Sequence, residues 1–323
     1  MHRRQLLHSA LFSAFTFLPS LAASQPSDQP VRIVFPFAVG SSGDILARVI
    51  AETLGVGLNR AVIVENKTGA AGLIGIRAVK DAAADGTTLL IAPIAPMSVY
   101  QHVYKSLPYD PIKDFQPIAQ IATFDFGVAV GPQVPARSVG ELVTWLQANP
   151  AQANYGTPAA GTLPHFFAVL FGSAAGLNLQ HIPFRGGAAA LTALMGGQIP
   201  IVFTSTDSLT ELHKAGRIRV LATSDKERSP FLPEVPTFQE AGYNIEGRGW
   251  FGVFAPAGTP AATVERLNKL IVSAIQAPDV RKRILALGLQ PTGTSAAAFA
   301  AIQRADSELW APAVKASGFT ISE

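Results

Sequence analysis

Short runs of β-branched and apolar residues alternate along this chain with longer stretches in which apolar positions recur every three or four residues. Val31–Phe35 and residues 61–65 and 87–92 read as buried strands. Ile45, Leu46, Val49, Ile50 and Leu54 line one face of a helix over 44–58, and 72–84 reads as a second helix. Asp85-Gly86 marks the turn into the third strand. Strand, helix, strand, helix, strand with short loops predicts βαβ units and a parallel sheet. The pattern restarts with strands at 118–121, 126–130, 153–156, 179–183, 199–203 and 218–223. Helices at 139–148, 163–175 and 188–195 lie among them. The rest is mainly helical: 259–275, with Thr259-Pro260 as cap and first-turn pair, then 279–287 and 296–314. No Pro/Gly-rich linker separates the two βα runs, so two lobes sharing crossing strands are expected.

Composition narrows the class. The 323 residues are 48% apolar and only 15% charged, below the ~25% charged of an average soluble chain. That excludes disorder, coiled coil and charge-driven nucleic-acid binding as leading readings. The net charge of +3 includes Arg3 and Arg4 of an expected leader, whose removal leaves +1. Lys and Arg are scattered, and Arg281-Lys282-Arg283 reads as a solvated helix face rather than a phosphate track. The chain has no cysteine, so disulfides, thiolate catalysis and zinc–cysteine sites are excluded together.

The first 23 residues read as a signal peptide. A basic start is followed by the apolar run 6–18, then Pro19 and small residues at 20 and 22. Arg3-Arg4 resembles a twin-arginine signal. The run is shorter than the ~20 residues of a membrane span. An exported, unlipidated, periplasmic protein is expected.

Two glycine loops carry the candidate chemistry. Residues 36–44 (PFAVGSSGD) lie between a strand and a helix. Gly40 and Gly43 allow a sharp turn and close approach, and the N–H groups at the helix start favour an anion. Ser41 and Ser42 offer hydroxyls, and Asp44 is placed to cap the helix. Residues 154–162 (NYGTPAAGT) repeat the design, with Thr162 as cap. Two such loops facing one cleft suit a small carboxylate, each charged hydrogen bond contributing ~1.5–3 kcal/mol. Arg185, before Gly186-Gly187, is a candidate cation for it. Gly69 to Gly75 reads as close helix–sheet packing.

In order and spacing, 36–48 (PFAVGSSGDILAR), 64–75 (VENKTGAAGLIG), 107–119, 154–165 (NYGTPAAGTLPH), 182–200 (IPFRGGAAALTALMGGQIP) and 250–260 (WFGVFAPAGTP) resemble the Bug-type receptors of tripartite tricarboxylate transporters. The resemblance implies an α/β, class II periplasmic-binding-protein-like fold of two lobes, each a mostly parallel sheet flanked by helices, joined by two crossing strands. Lobe 1 would take residues 30–127 and 249–323, and lobe 2 residues 128–248. It implies a solute receptor that holds a carboxylate through backbone N–H groups and hands it to membrane subunits. The implied ligand contacts are Phe37, Ala38, Val39, Gly40, Ser41, Ser42, Gly43 and Asp44 on one side. On the other they are Thr157, Ala160, Gly161, Thr162 and His165, with Arg185, Thr204 and Ser205 completing the set.

Departures from the family pattern shape the ligand expected. Thr204-Ser205 stand where relatives carry Asp-Asn, the acid being displaced to Asp207, which argues against an amino acid. Residues 92–96 (APIAP) replace a more polar loop and suggest a stiff, apolar wall suited to an aromatic or bulky acid; a dicarboxylate is the other class expected. No cofactor or metal is expected, and a monomer is. A sensor kinase is the alternative partner. A hydrolase built on Ser41 or Ser42, His165 and Asp44 or Asp207 lacks the GxSxG elbow and is disfavoured. Trp250 would either line the cleft or pack the return crossing.

Overall fold

The computed structural model describes residues 29–322; the expected signal peptide lies outside them. The chain forms two sheets with strands in the orders β11-β4-β10-β3-β1-β2 and β7-β6-β8-β5-β9. The first takes β1 (Val31–Phe35), β2 (Val62–Asn66), β3 (Thr88–Pro93), β4 (Phe115–Phe124), β10 (Gly249–Pro256) and β11 (Gln290–Pro291). The second takes β5 (Phe126–Val130), β6 (Asn154–Thr157), β7 (Gln180–Pro183), β8 (Ile201–Ser205) and β9 (Arg219–Thr223). β1 pairs in parallel with β2 and β3, while β10 runs antiparallel between β3 and β4. In the second sheet β6 is parallel to β7 and β8, and β5 is antiparallel to β8 and β9.

Helices follow the strands as the apolar spacing predicts. They are α1 (Ser42–Leu58), α2 (Leu73–Lys80), α3 (Tyr100–Val103), α4 (Val139–Ala148), α5 (Leu163–Ala175), α6 (Gly187–Met195) and α7 (Thr206–Lys214). After the second sheet come α8 (Ala261–Gln276), α9 (Pro278–Leu285) and α10 (Ala296–Ser317). α1 buries Leu46, Val49, Ile50 and Leu54, the stripe read from the sequence. α3, a single turn, and α7 are not foreseen by that pattern; the buried face of α7 is only Thr206, Leu209 and Thr210. Pro260, not Thr259, is the residue before α8; Thr259 turns its hydroxyl back onto the Pro256 carbonyl at 2.8 Å. Among the described residues, no helix is long and apolar enough to cross a membrane.

Near the third strand one expectation fails, and the choice left open for Trp250 falls to packing. Residues 95–99 form a wholly buried, wide helical turn packed beneath α10. Of the expected wall at 92–96, all but the half-buried Pro93 is buried, so it offers a ligand little surface. Trp250 is also core: 1% exposed, its ring edge-on to Phe299 and its indole N–H donating to Asp306 at 2.7 Å. Burial pushes the Asp306 carboxyl up to about 6, against that hydrogen bond.

The chain crosses between sheets at Asp125 and again before Gly249, and one hydroxyl ties the crossings together. Ser224 Oγ accepts from Phe126 N–H at 2.9 Å and donates to the Gly247 carbonyl at 2.6 Å. Its backbone completes the tie through the Phe126 carbonyl and the Gly247 N–H, each at 2.9 Å. Beside it Asp225 pairs with Arg248 at 2.7 Å. Asp125 is 2% exposed, and burial together with the Asp225 charge raises its carboxyl to about 6.

The tie predicts a large effect from a small change. Ser224→Ala leaves two buried backbone groups without partners, each costing about 1–3 kcal/mol. The urea unfolding midpoint is expected to fall by the equivalent of about 3 kcal/mol, with the slope unchanged.

Candidate functional site

The C-terminal ends of β1, β2 and β3 point the same way, as do those of β6, β7 and β8. Ligands in open α/β sheets bind outside these ends. Here the two sets of ends meet: Ser42 Oγ, at the start of α1, donates to Asp207 Oδ2, at the start of α7, at 2.7 Å. That contact joins residues 165 positions apart and defines a crevice between the sheets.

Residues 37–44 are built around one buried carboxylate. Asp44 is 1% exposed and accepts from the Gly40 N–H at 2.9 Å, Asn66 Nδ2 at 2.9 Å and Arg48 at 3.0 Å. Burial works against its charge, yet these donors outweigh it and hold the carboxyl below the usual range. Asp44 does not cap α1, as the sequence suggested. Ser41 does, accepting from the Asp44 N–H at 3.3 Å, while Asp44 reaches back along the loop in the manner of a capping box. The Ser41 hydroxyl also meets the Ala38 carbonyl, and Asn66 donates to that of Phe37. Gly43 lies flat against the Phe35 and Phe251 rings. Gly40 holds φ +84°, and Val39 stands 69% exposed at the tip.

The second loop is held by a chain of side chains. Thr157 Oγ1 donates to the Ala159 carbonyl at 3.0 Å and therefore accepts from His181 Nε2 at 2.7 Å. His181 stacks on His165 at 4.1 Å, and His165 Nδ1 accepts the Gly161 N–H at 3.2 Å. Both imidazoles are neutral, pushed down to about 4 by burial, His181 also by its neighbour. Thr162 occupies the cap position of α5, but its hydroxyl turns to the Ala159 carbonyl at 2.8 Å instead of capping. Ala160 lies between these contacts, half-buried.

The remaining lobe 2 candidates come to the same place. Phe184 N–H donates to the Thr157 carbonyl and Gly186 N–H to that of Pro158, so the exposed Arg185 sits beside the second loop. Gly187 approaches Thr204 Oγ1, Pro158 and Ser208 Oγ. Thr204 is buried, and Ser205 precedes α7 without a side-chain cap. The starts of α5, α6 and α7 thus gather on one side and that of α1 on the other.

Most hydroxyls expected to serve a ligand are spent inside the protein, on Ala38, Asp207 and Ala159. First-turn N–H groups have no intrahelical acceptor. Those of Ser42, Gly43, Gly187 and Ala188 have none among the described residues. The crevice therefore offers backbone donors at positive helix ends, a setting for anions. The hydrolase constellation is not assembled: Ser42 meets Asp207, His165 meets Gly161, and Asp44 meets Arg48 and Asn66. Sequence reasoning missed Asn66, Arg48, His181 and Ser208. Asn66 had a signal, ending a strand inside one of the resemblance segments. Asp207, read as displaced from the site, is in the crevice, so the argument it gave against amino acids also falls.

Asp44→Asn is expected to cost about 2 kcal/mol, since a buried charged acceptor loses bonds worth ~1.5–3 kcal/mol each; urea denaturation checks this. The wild-type contribution is whole above about pH 4 and is lost as the pH falls below the unfolded value of 3.8. The histidine pair acts at higher pH. Unfolded, both protonate near 6.5; folded, near 4. Their stabilisation is whole above 6.5 and lost as pH falls towards 4. Asp125 and Asp306, raised to about 6, run in the opposite sense between 6 and 3.8. The His165→Gln/His181→Gln double variant removes one arm, so its stability is expected to rise relative to wild type as pH falls from 6 to 4. Denaturant midpoints at stepped pH measure it.

Comparison with known proteins identifies the family and the fold. Residues 46–319 match the model of the tripartite tricarboxylate transporter family receptor. Protein BugT of Bordetella pertussis is 31% identical over 288 residues, covering 87% of this chain and 88% of that protein. The solved periplasmic binding protein BugD is 31% identical with a TM-score of 0.79, covering 90% of this chain and 98% of its own. R. palustris Rpa4515, solved with adipate, is 30% identical with a TM-score of 0.83 over the same shares. The two-lobed, periplasmic-binding-protein-like architecture is that of these relatives. The chain belongs to the tripartite tricarboxylate transporter receptor family, whose members are periplasmic solute-binding receptors.

Proposed function

We propose that this receptor binds a small dicarboxylate in the crevice between its sheets and delivers it, unchanged, to the membrane subunits of a tripartite tricarboxylate-type transporter. The observation that carries this is the meeting of helix starts from both sheets at one crevice, bridged by Ser42 and Asp207. One carboxylate would take the N–H groups of Ser42 and Gly43, displacing Asp207 from the Ser42 hydroxyl. The other would lie against the starts of α5 and α6, with Arg185 as its cation. The adipate-bound relative supports the ligand class. A ligand that touches both lobes stabilises the closed arrangement by its differential affinity for it, and the membrane partner reads that arrangement. This is binding and release, with no turnover.

A second reading rests on Asp207. Its Oδ1 is buried without a hydrogen-bond partner. A ligand hydroxyl or ammonium placed there would fill that vacancy, which makes hydroxy- and amino-dicarboxylates competitors to the plain acid.

A thermal-shift panel of succinate, adipate, malate, aspartate, citrate and benzoate on ligand-stripped protein tests both readings. A dicarboxylate at a hundred times its dissociation constant adds about 2.7 kcal/mol, and mass spectrometry is expected to recover it intact. No shift with any dicarboxylate would sink the proposal. Malate or aspartate far ahead of succinate would establish the second reading. Gly40→Val is expected to weaken the best acid by about five- to thirtyfold, because a side chain at φ +84° costs about 1–2 kcal/mol. No atom within 4 Å opposes the new Cβ, so the fold survives. Arg185→Ala is expected to weaken a dicarboxylate more than a monocarboxylate of equal length, by calorimetry.

A further inference from the structure

The segment after α10 does not end its work at the helix. Gly318 closes α10 in a left-handed turn, and the chain then lies against Val103 and Tyr104 of the first lobe. Ile321 N–H donates to the Val103 carbonyl at 2.8 Å, and its carbonyl accepts from Lys105 N–H at 3.0 Å. Phe319 N–H is fixed by Ser317 Oγ at 3.1 Å. From that anchorage, Phe319 and Ile321 reach the second binding loop. The Phe319 ring stands edge-on to His165 at 4.9 Å, with an interplanar angle of 89°. A Cβ built on Gly161 would lie 2.9 Å from the Phe319 ring, 3.2 Å from Val103 and 3.4 Å from Ile321. Gly161, at φ +71°, is thus seated on the segment through its bare backbone.

We propose that Phe319 and Ile321 are positioning residues for ligand binding: they tie the loop 157–162 to the first lobe by clamping Gly161 and His165. This rests on the reading that the loop contacts the ligand. The two sides of the crevice are then linked by more than the strand crossings. Phe319 acts through His165. With the imidazole held edge-on and stacked on His181, Nδ1 stays aimed at the Gly161 N–H, which fixes the peptide planes of the loop. α5 follows the same course, because Phe167 packs edge-on against Trp310 of α10 at 4.9 Å. Loop 157–162 and the head of α5 therefore belong mechanically with the first lobe, although their strand belongs to the second sheet. In any opening of the crevice, α6 and α7 are the elements left to swing.

The test uses the full mature chain, with Phe319→Ala and the conservative Phe319→Leu. Amide hydrogen exchange is read at Gly161, with Phe126 and Ser224 of the crossing as internal controls. In Phe319→Ala the Gly161 amide is expected to exchange at least about tenfold faster while the crossing amides hold their rates, the mark of local rather than global loosening. The ¹⁵N resonance of His165 Nδ1 is expected to move as its hydrogen bond weakens, and Phe319→Leu is expected to restore both signals in part. With adipate as probe, the dissociation constant of Phe319→Ala is expected to rise about tenfold. Unchanged Gly161 exchange and an unchanged His165 resonance would overturn the proposal, as would altered exchange with an unaltered adipate constant. Failure of the wild-type protein to bind adipate or any other dicarboxylate of the panel would count against the dicarboxylate reading; the exchange and resonance arms would still decide whether the segment positions the loop.

Discussion

Everything that faces the crevice depends on one buried hydroxyl. The backbone passes twice between the sheets, and a hinge of two strands could set their mutual orientation at many angles. Ser224 narrows that freedom by bonding to both crossings at once, so that they can bend only together, through its side chain and its own backbone. Fixed in this way, the C-terminal ends of two independent strand sets are brought face to face. The meeting of Ser42 with Asp207 follows from that geometry.

The crevice shows a division of labour between side chain and backbone. Side-chain groups are used to build the loops: Asp44 gathers three donors on one side, and Thr157, His181 and His165 form a relay on the other. What is left over to face the crevice is peptide N–H groups at helix ends, the proposed recognition surface. A receptor made this way tolerates sequence change at the contact positions, since any non-proline residue brings an N–H. Its residues concentrate instead in the groups that hold the peptide planes. Members of one family can therefore share a loop architecture while reading different acids through the few side chains that remain, Arg185 and Asp207 in the function proposed here.

Much of the fold was legible because its signal is local. The strands and helices of the βα runs follow from periodicity within ten or fifteen residues, and both glycine loops sit where strand ends and helix starts required. What was misread depends on distant partners. Asp44 looks like the cap in SSGD; Ser41 takes that place instead, because Asn66 and Arg48 recruit the carboxylate. Residues 92–96 look like a stiff ligand wall until α10, two hundred residues later, covers the turn at 95–99. Trp250 was placed at the return crossing, but only Asp306 and Phe299 show that it faces inward. Asp207 appeared displaced along the chain, and a crossing of lobes returned it to the site.

The position of β10 has a consequence for the order of assembly. β3 and β4 are nearest neighbours in sequence among the strands of the first sheet, yet they do not pair; β10 lies between them. The first sheet thus stays split until residue 249 and beyond have arrived, whereas the second needs only residues 126–223. Pairings of such long sequence separation form slowly, because chain closure must precede their reward. A chain made from its N-terminus carries its first hundred residues as an unfinished sheet for most of its synthesis. The topology itself delays compaction of the first sheet until the strand at 249–256 is on hand.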